Sequence, residues 1–143
     1  MDRAEKVALR LIARAEQNSF GLKAKLRHRG FDAQVTEELV SRLVEQDLVN
    51  DERYAKLWIR SRLSGRKAQS PRKLQISLGN RGIDINLSEK ALKKELDPES
   101  EYALLLRFLE KSGFCESKSG FSFRGRLKHE GFSPEVLDRY FEK

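Results

Sequence analysis

The sequence has few of the residues that mark secreted, membrane-spanning or catalytic proteins. Its single cysteine, Cys115, excludes a disulfide within the chain and favours a reducing cytoplasm. The charged N-terminal region contains no uninterrupted apolar stretch, so we expect neither a signal peptide nor a transmembrane span. There are only two histidines, His28 and His129, and a Walker A phosphate-binding motif is missing. We therefore expect a cytoplasmic protein that does not contact a membrane, is not an enzyme and needs no metal or cofactor.

Acidic residues are absent from one long segment of the chain. Residues 60–81 contain seven basic residues and no acid: Arg60, Arg62, Arg66, Lys67, Arg72, Lys73 and Arg81. Residues 1–31 add eight basic residues against three acids, whereas residues from 83 onward hold eleven against twelve. The excess positive charge thus belongs to the first part of the first repeat and to the middle repeat. This distribution predicts contact with a polyanion such as a phosphate backbone, or with an acidic protein surface.

One phrase of similar residues occurs three times. It reads KLRHRGF at 25–31, SLGNRGI at 77–83 and RLKHEGF at 126–132. When the copies are aligned on their glycines, apolar residues recur at six positions, eight and four residues before the glycine and one, five, nine and ten after it. This agreement indicates an internal repeat. Repeats also fit a composition of 38% hydrophobic and 36% charged residues, which is lean for one core.

The spacing within each copy predicts two helices joined by a glycine. Apolar residues four apart lie on one helix face, and the glycine ends that helix in the left-handed conformation. Another helical stripe precedes each pair, and no segment alternates like a strand. We expect an all-α fold of three tandem three-helix repeats, with nine helices in an elongated or gently curved row. The predicted repeats span residues 1–49, 50–97 and 98–143. Predicted helix starts are marked by residues of capping type: Asp32, Asn50, Ser70, Asp97 and Ser133.

Residues 48–83 resemble the RecX regulatory proteins of bacteria. The matching residues lie in the phrase LVNDERYAKLWIRSRL at 48–63 and in the glycine turn that follows: Arg53-Tyr54-Ala55, Trp58, Arg62 and Arg81-Gly82-Ile83. The likeness extends to LIAR at 11–14 and RGF at 29–31, and more weakly to the third repeat. The chain departs from the family pattern at Ser77, where relatives often carry glutamate, and we expect it to lack the N-terminal extension of many relatives.

The resemblance implies regulation of the RecA recombinase. RecX-like proteins consist of tandem three-helix repeats that bind the RecA–single-stranded DNA filament and restrain its growth, its ATP hydrolysis and strand exchange. We accordingly expect this chain to be a monomer that binds RecA and the RecA filament, with contact to single- or double-stranded DNA phosphates also open. The expected contact residues are the seven cations of 60–81, extended by four in the first repeat: Lys23, Lys25, Arg27 and Arg29.

The residues alone leave two other functions open. A general DNA-binding protein would bind naked DNA and the RecA filament equally, with a steep dependence on salt. A helical adaptor for an acidic protein would bind neither DNA nor RecA. The charge pattern does not distinguish contact with RecA from contact with DNA.

Overall fold

The computed structural model describes residues 2–112 and 122–142, which form nine α-helices and no strand. The helices are α1 Asp2–Arg14, α2 Ser19–His28, α3 Ala33–Glu45, α4 Asp51–Leu63, α5 Pro71–Asn80, α6 Ile85–Glu95, α7 Pro98–Ser112, α8 Phe123–His129 and α9 Pro134–Phe141. They follow one another in three groups of three, so the expected all-α fold of repeated three-helix units is confirmed. The proposed domain boundaries after residues 49 and 97 fall between helices and, as boundaries of domains, stay a prediction.

The helix starts follow the predicted capping chemistry. Side-chain oxygens of Asp32, Asn50, Ser70 and Ser133 each accept a hydrogen bond from a backbone N–H in the first turn of the next helix. Asp97 precedes α7 and accepts a hydrogen bond of 2.8 Å from the N–H of Ser100. That hydrogen bond is the main reason why the pKa of Asp97 is lowered. These caps satisfy N–H groups that lack partners within the helix.

Each repeated glycine closes the second helix of its repeat. Gly30, Gly82 and Gly131 have φ angles of +94°, +91° and +98°, in the left-handed region predicted for them. In each copy the N–H of the residue after the glycine donates to the carbonyl five residues earlier, as Ile83 does to Leu78 at 3.0 Å. This pattern is a Schellman cap, and it turns the chain sharply from one helix into the next. Ile83 is 3% exposed, so the residue after the glycine fills the junction as expected.

The buried apolar residues of the described part of the chain form two clusters rather than three. One cluster comprises the interior of α1–α3, with Leu22 and Leu26 fully buried. The other joins the interiors of α4–α9 and contains the aromatic residues Trp58 and Phe108. The second and third repeats therefore share one core, while the first repeat has its own.

A similar contact joins each repeat to the next. The side chain of Phe20, at the start of α2, lies against the glycine turn of the second repeat: a β-carbon added at Gly82 would lie 2.4 Å from its Cγ atom. Arg72, at the start of α5, lies close to the third repeat, where a β-carbon on Gly131 would lie 2.9 Å from its backbone nitrogen. Both residues stand ten positions before the glycine of their own repeat. The turn of one repeat thus accommodates the second helix of the preceding repeat.

Arg53 ties the first repeat to α4. Its Nε atom lies 2.7 Å from Oε1 of Glu16, and its Nη1 atom lies 3.3 Å from Oδ2 of Asp47. The bond with Glu16 raises the pKa of Arg53. The pKa of Asp47 is lowered, first by a hydrogen bond from the side chain of Asn50 and then by the charge of Arg53. Asp47 itself adopts a left-handed backbone with φ 59°.

Replacing Gly82 with alanine should destabilise the protein more than replacing Gly30. Both changes strain a left-handed residue by about 1–2 kcal/mol. Gly30 has no atom near its would-be β-carbon, whereas Gly82 would clash with Phe20. We expect about 1 kcal/mol of further loss for Gly82→Ala, from urea unfolding followed by circular dichroism. The excess should disappear when Phe20→Gly, which removes the ring and also the β-carbon that would lie 2.5 Å away, is added to both variants; an excess that persists would show that Phe20 is not its source.

Asp47 should make stability depend on acid, because a hydrogen bond from Asn50 and the charge of Arg53 both favour its ionised form. Because the folded pKa of Asp47 is depressed, its contribution is present above the unfolded pKa of about 3.9 and is lost as pH falls through the folded value. Asp47→Asn keeps a residue that tolerates φ 59° but removes the titration. We expect the urea midpoint of the original protein to fall more steeply than that of Asp47→Asn on acidification below about pH 4. Parallel curves would exclude Asp47 as a source of acid sensitivity.

Candidate nucleic-acid interface

The acid-free segment folds into the end of α4, the loop 64–70 and α5 with its glycine turn. All seven of its cationic side chains are exposed. Six of them have no carboxylate partner within 4.0 Å in the described part of the chain; the exception is Arg60, which pairs with Glu95. Arg72 approaches His129 of the third repeat, with 3.0 Å between Nη1 and Nε2. The second repeat therefore presents a cationic surface that its own acids leave largely unneutralised.

Trp58 organises two of these cations. The guanidinium carbon of Arg62 lies 5.0 Å from the ring centroid of Trp58, and that of Arg81 lies 5.6 Å from it. Arg62 reaches the ring because it stands four residues further along α4, on the same helix face. The Nη1 atom of Arg81 also donates to the hydroxyl of Tyr54 at 3.2 Å. Trp58 is only 9% exposed and belongs to the core, so it holds cations in place and offers no open face for stacking on a base.

A cavity of about 390 Å³ opens beside Trp58, and we name it the Trp58 cavity. Besides the tryptophan, it is lined by three cations and three uncharged polar residues: Arg62, Lys67, Arg81, Gln69, Ser77 and Asn80. No carboxylate is among the described residues of its wall. The lining comes from α4, from the loop and from α5, so the fold is needed to assemble it.

A second cavity of about 420 Å³ adjoins the first, and we name it the Lys73 cavity. It shares Lys67 and Gln69 with the Trp58 cavity and adds three cations: Arg66, Lys73 and Lys111. Here too the described lining contains no acid. Lys111 belongs to α7 of the third repeat and was not predicted, since nothing in the sequence indicates that α7 ends beside this loop. Gln69, Ser77 and Asn80 were also missed, because uncharged polar side chains carry no pattern in sequence.

The first-repeat cations do not line either cavity in the described part of the chain. Lys23 pairs with Glu37 at 2.9 Å, and Lys25 donates to Gln17 at 2.8 Å. Arg27 and Arg29 are exposed at the end of α2, beside the Gly30 turn. The structure thus brings together the cations of 60–81, except Arg60 and Arg72, and leaves the first-repeat set apart from these cavities.

Other classes of site receive no support from the described residues. They include no group of three or more His, Cys, Asp or Glu side chains arranged to hold a metal ion. None of the helices there is both long and apolar enough to cross a membrane. Cys115 lies outside the described residues.

Known proteins resemble the chain over nearly its whole length. Residues 50–92 match the family model for the second three-helix domain of RecX. The regulatory protein RecX of Treponema pallidum is 33% identical over 98% of this chain and 76% of its own length. RecX of Chlorobium limicola is 35% identical over 94% of this chain and 87% of its own. The chain belongs to the RecX family. Its relatives are named regulatory proteins and not enzymes, which confirms the expected non-enzymatic class.

Two solved structures share the RecX fold. The crystal structure of RecX from Lactobacillus salivarius superimposes with a TM-score of 0.72 at 21% identity, over 99% of this chain and 94% of that one. Another crystal structure of a regulatory protein RecX gives a TM-score of 0.75 at 20% identity, over 99% and 71% of the two chains. These likenesses establish the architecture. The matched RecX domain, residues 50–92, is the repeat that carries the cationic cavities.

The free cations of the cavities should matter more for polyanion binding than Arg60. Lys67→Ala and Arg60→Ala remove the same charge, but Arg60 is already paired with Glu95. On a heparin column we expect Lys67→Ala to elute at clearly lower salt than the original protein. Arg60→Ala should elute at nearly the same salt concentration as the original protein. Equal shifts for the two variants would mean that net charge alone governs binding.

Proposed function

We propose that this RecX-family protein binds the RecA–single-stranded DNA filament and inhibits RecA's ATP hydrolysis, strand exchange and filament growth. The observation that carries the proposal is the RecX likeness over 98% of the chain, combined with a cationic surface on the repeat matched by the family model. A filament of RecA on DNA is long, periodic and rich in phosphate. A row of repeats with free cations has the form and charge to bind it.

Occupancy alone is sufficient for such inhibition. Successive repeats present successive surfaces, and simultaneous contacts to neighbouring RecA protomers raise the apparent affinity through effective concentration. A protein held across protomers obstructs the addition of the next one and the movements that accompany ATP hydrolysis. The cationic cavities of the second repeat provide the electrostatic part of this contact, and Arg27 and Arg29 extend it along the first repeat.

RecA's single-stranded-DNA-dependent ATP hydrolysis tests the proposal directly. We expect inhibition when this protein is present well below the RecA concentration, because one bound molecule affects a filament of many protomers. Inhibition only when the protein saturates the DNA would contradict filament recognition and indicate the general DNA-binding alternative, which the acid-free cavities also favour. The absence of any effect would favour an adaptor for another protein.

Reversing charges at the cavities should weaken this inhibition. In the triple variant Arg66→Glu, Lys67→Glu, Lys73→Glu, three exposed cations without carboxylate partners in the described residues become acids. We expect the concentration for half-inhibition to rise by about tenfold or more, as for the removal of one or two charge-assisted hydrogen bonds. The control is Arg3→Glu, Lys6→Glu, Arg10→Glu on the exposed face of α1, which changes the net charge equally. An equal effect of both triple variants would refute a specific role of the cavities.

A further inference from the structure

A groove follows α5 along a different face from that of the cationic cavities, with which it shares no described lining residue. It consists of two adjoining recesses of about 350 and 420 Å³, whose common wall includes Arg72 and Gln75. We name them the Ile76 recess and the Glu101 recess. The groove is open because four of its α5 residues form one helical stripe that α6 leaves partly uncovered: Arg72, Gln75, Ile76 and Gly79.

The Ile76 recess presents apolar surface that the fold does not bury. Ile85, Phe20 and Ile76 are 61%, 60% and 51% exposed, the highest values for large apolar residues in the described part of the chain. Ile76 and Ile85 line the recess, and Phe20 lies against Gly82 in the neighbouring turn. Gly79 adds no side chain to the wall, and no atom lies within 4 Å of a β-carbon built there. Exposed apolar residues gathered in this way mark a protein-binding surface.

Glu101 places a negative charge in the other recess. The residue is only 9% exposed, and its Oε2 atom accepts a hydrogen bond of 2.6 Å from the N–H of Ser133. Among the described residues, Oε1 has no hydrogen-bond partner and the carboxylate has no cation within 4.0 Å. A largely buried carboxylate without a cation is costly, and a cationic group of a ligand would offset that cost. The apolar walls of the recess suit the aliphatic stem of lysine or arginine: Pro71, Leu92 and Leu96.

The other charges of the Glu101 recess do not favour an anion. Arg72 approaches His129, with 3.0 Å between Nη1 and Nε2. Glu89 and Lys93 carry opposite charges and stand four residues apart on α6. A phosphate group in this recess would therefore meet two carboxylates, those of Glu89 and Glu101. The groove thus differs in its ligand chemistry from the acid-free cavities on the other face of α5.

We propose that the groove binds a segment of a protein partner in which an aliphatic side chain enters the Ile76 recess and a lysine or arginine reaches Glu101. The stripe from Arg72 to Gly79 spans about 10 Å, so about three residues of an extended segment separate the two anchors. This inference deepens the proposed function and rests on it for the identity of the partner, which is RecA. It assigns the protein contact to one face of α5 and leaves the cationic cavities on another.

Two substitutions remove the apolar anchor point without changing the net charge. Ile76→Gln with Ile85→Gln replaces two side chains that are more than half exposed, so the stability should change little. The matched control is Leu57→Gln with Leu106→Gln, which lie on α4 and α7 outside both recesses and are 44% and 41% exposed. Urea unfolding checks that the two double variants are equally stable.

A second pair of variants tests the carboxylate. Glu101→Gln removes the charge but keeps an oxygen that accepts the hydrogen bond from Ser133. Its control is Glu110→Gln, which removes an exposed carboxylate of the same helix outside the groove. Both variants raise the net charge by one, so a difference between them does not come from overall charge.

Binding is measured by biolayer interferometry on immobilised filaments of RecA and oligo(dT), assembled with a slowly hydrolysed ATP analogue. We expect Ile76→Gln, Ile85→Gln to lower the affinity about tenfold and Glu101→Gln about fivefold, with less than about a twofold change for each control. The salt dependence should keep its slope in the isoleucine variant, because burial of apolar surface releases no counterions. Equal losses in the groove variants and their controls would overturn the groove.

Free oligo(dT) provides the reference for the cationic cavities. Its affinity, measured by fluorescence anisotropy, should be the same for the original protein and for Ile76→Gln, Ile85→Gln. A parallel loss of affinity for free oligo(dT) and for the filament would show that the substitutions act on DNA binding, which would overturn a protein contact at the groove.

The outcomes separate this inference from the proposed function. If the original protein fails to bind the filament, the proposed function is wrong and the assignment of the groove to RecA falls with it. If the original protein binds and the groove variants bind equally well, the groove is rejected while the proposed function stands. Sedimentation velocity covers the remaining occupant: self-association that Ile76→Gln, Ile85→Gln abolishes would assign the groove to a second copy of this chain and overturn the proposal.

Discussion

The left-handed glycine at the end of the second helix is the constraint on which the rest of the molecule depends. Its positive φ lets the Schellman cap close, and the cap directs the next helix back over the preceding one. In the second and third repeats the absence of a β-carbon also makes room for Phe20 and Arg72 of the preceding repeat. One residue type therefore sets the geometry within a repeat and the approach between repeats.

The positive surface of the second repeat follows from where the helices and glycine turns place the acid-free segment 60–81. Residues 60–81 contain no carboxylate to pair with their own cations, and α6 supplies one through Glu95, which reaches Arg60. The glycine turn carries Arg81 back to Trp58, where it meets Arg62 from α4. Packing thus converts a linear run of charge into two recessed sites with polar walls. Trp58 contributes to the core with its buried ring and to the surface through the two guanidinium groups above it.

The features that the sequence predicts correctly depend on residues close together in the chain. Caps such as Ser70 and turns such as Gly82 are specified by a few adjacent residues, and the helical stripes by their spacing. The sequence does not indicate that the second and third repeats share one core, because side-chain packing between helices leaves no periodic signal. The Arg60–Glu95 pair and the approach of Lys111 to the loop join residues far apart in sequence, at distances that depend on the packed fold. The composition of the candidate site was therefore largely predictable, but its division into cavities was not.

The separate core of the first repeat allows this repeat to unfold locally. Its buried residues contact one another and not the interior of α4–α9, so local unfolding of α1–α3 would leave the larger core in place. The described links between the first repeat and the rest include the Phe20 contact, the hydrogen bonds from Ser19 to Asp51 and the ion pairs of Arg53 with Glu16 and Asp47. We therefore expect the first repeat to form a foldon of its own in amide hydrogen exchange. Because the lining of the cationic cavities belongs to α4, the loop 64–70, α5 and α7, local unfolding of the first repeat would leave the cavities assembled.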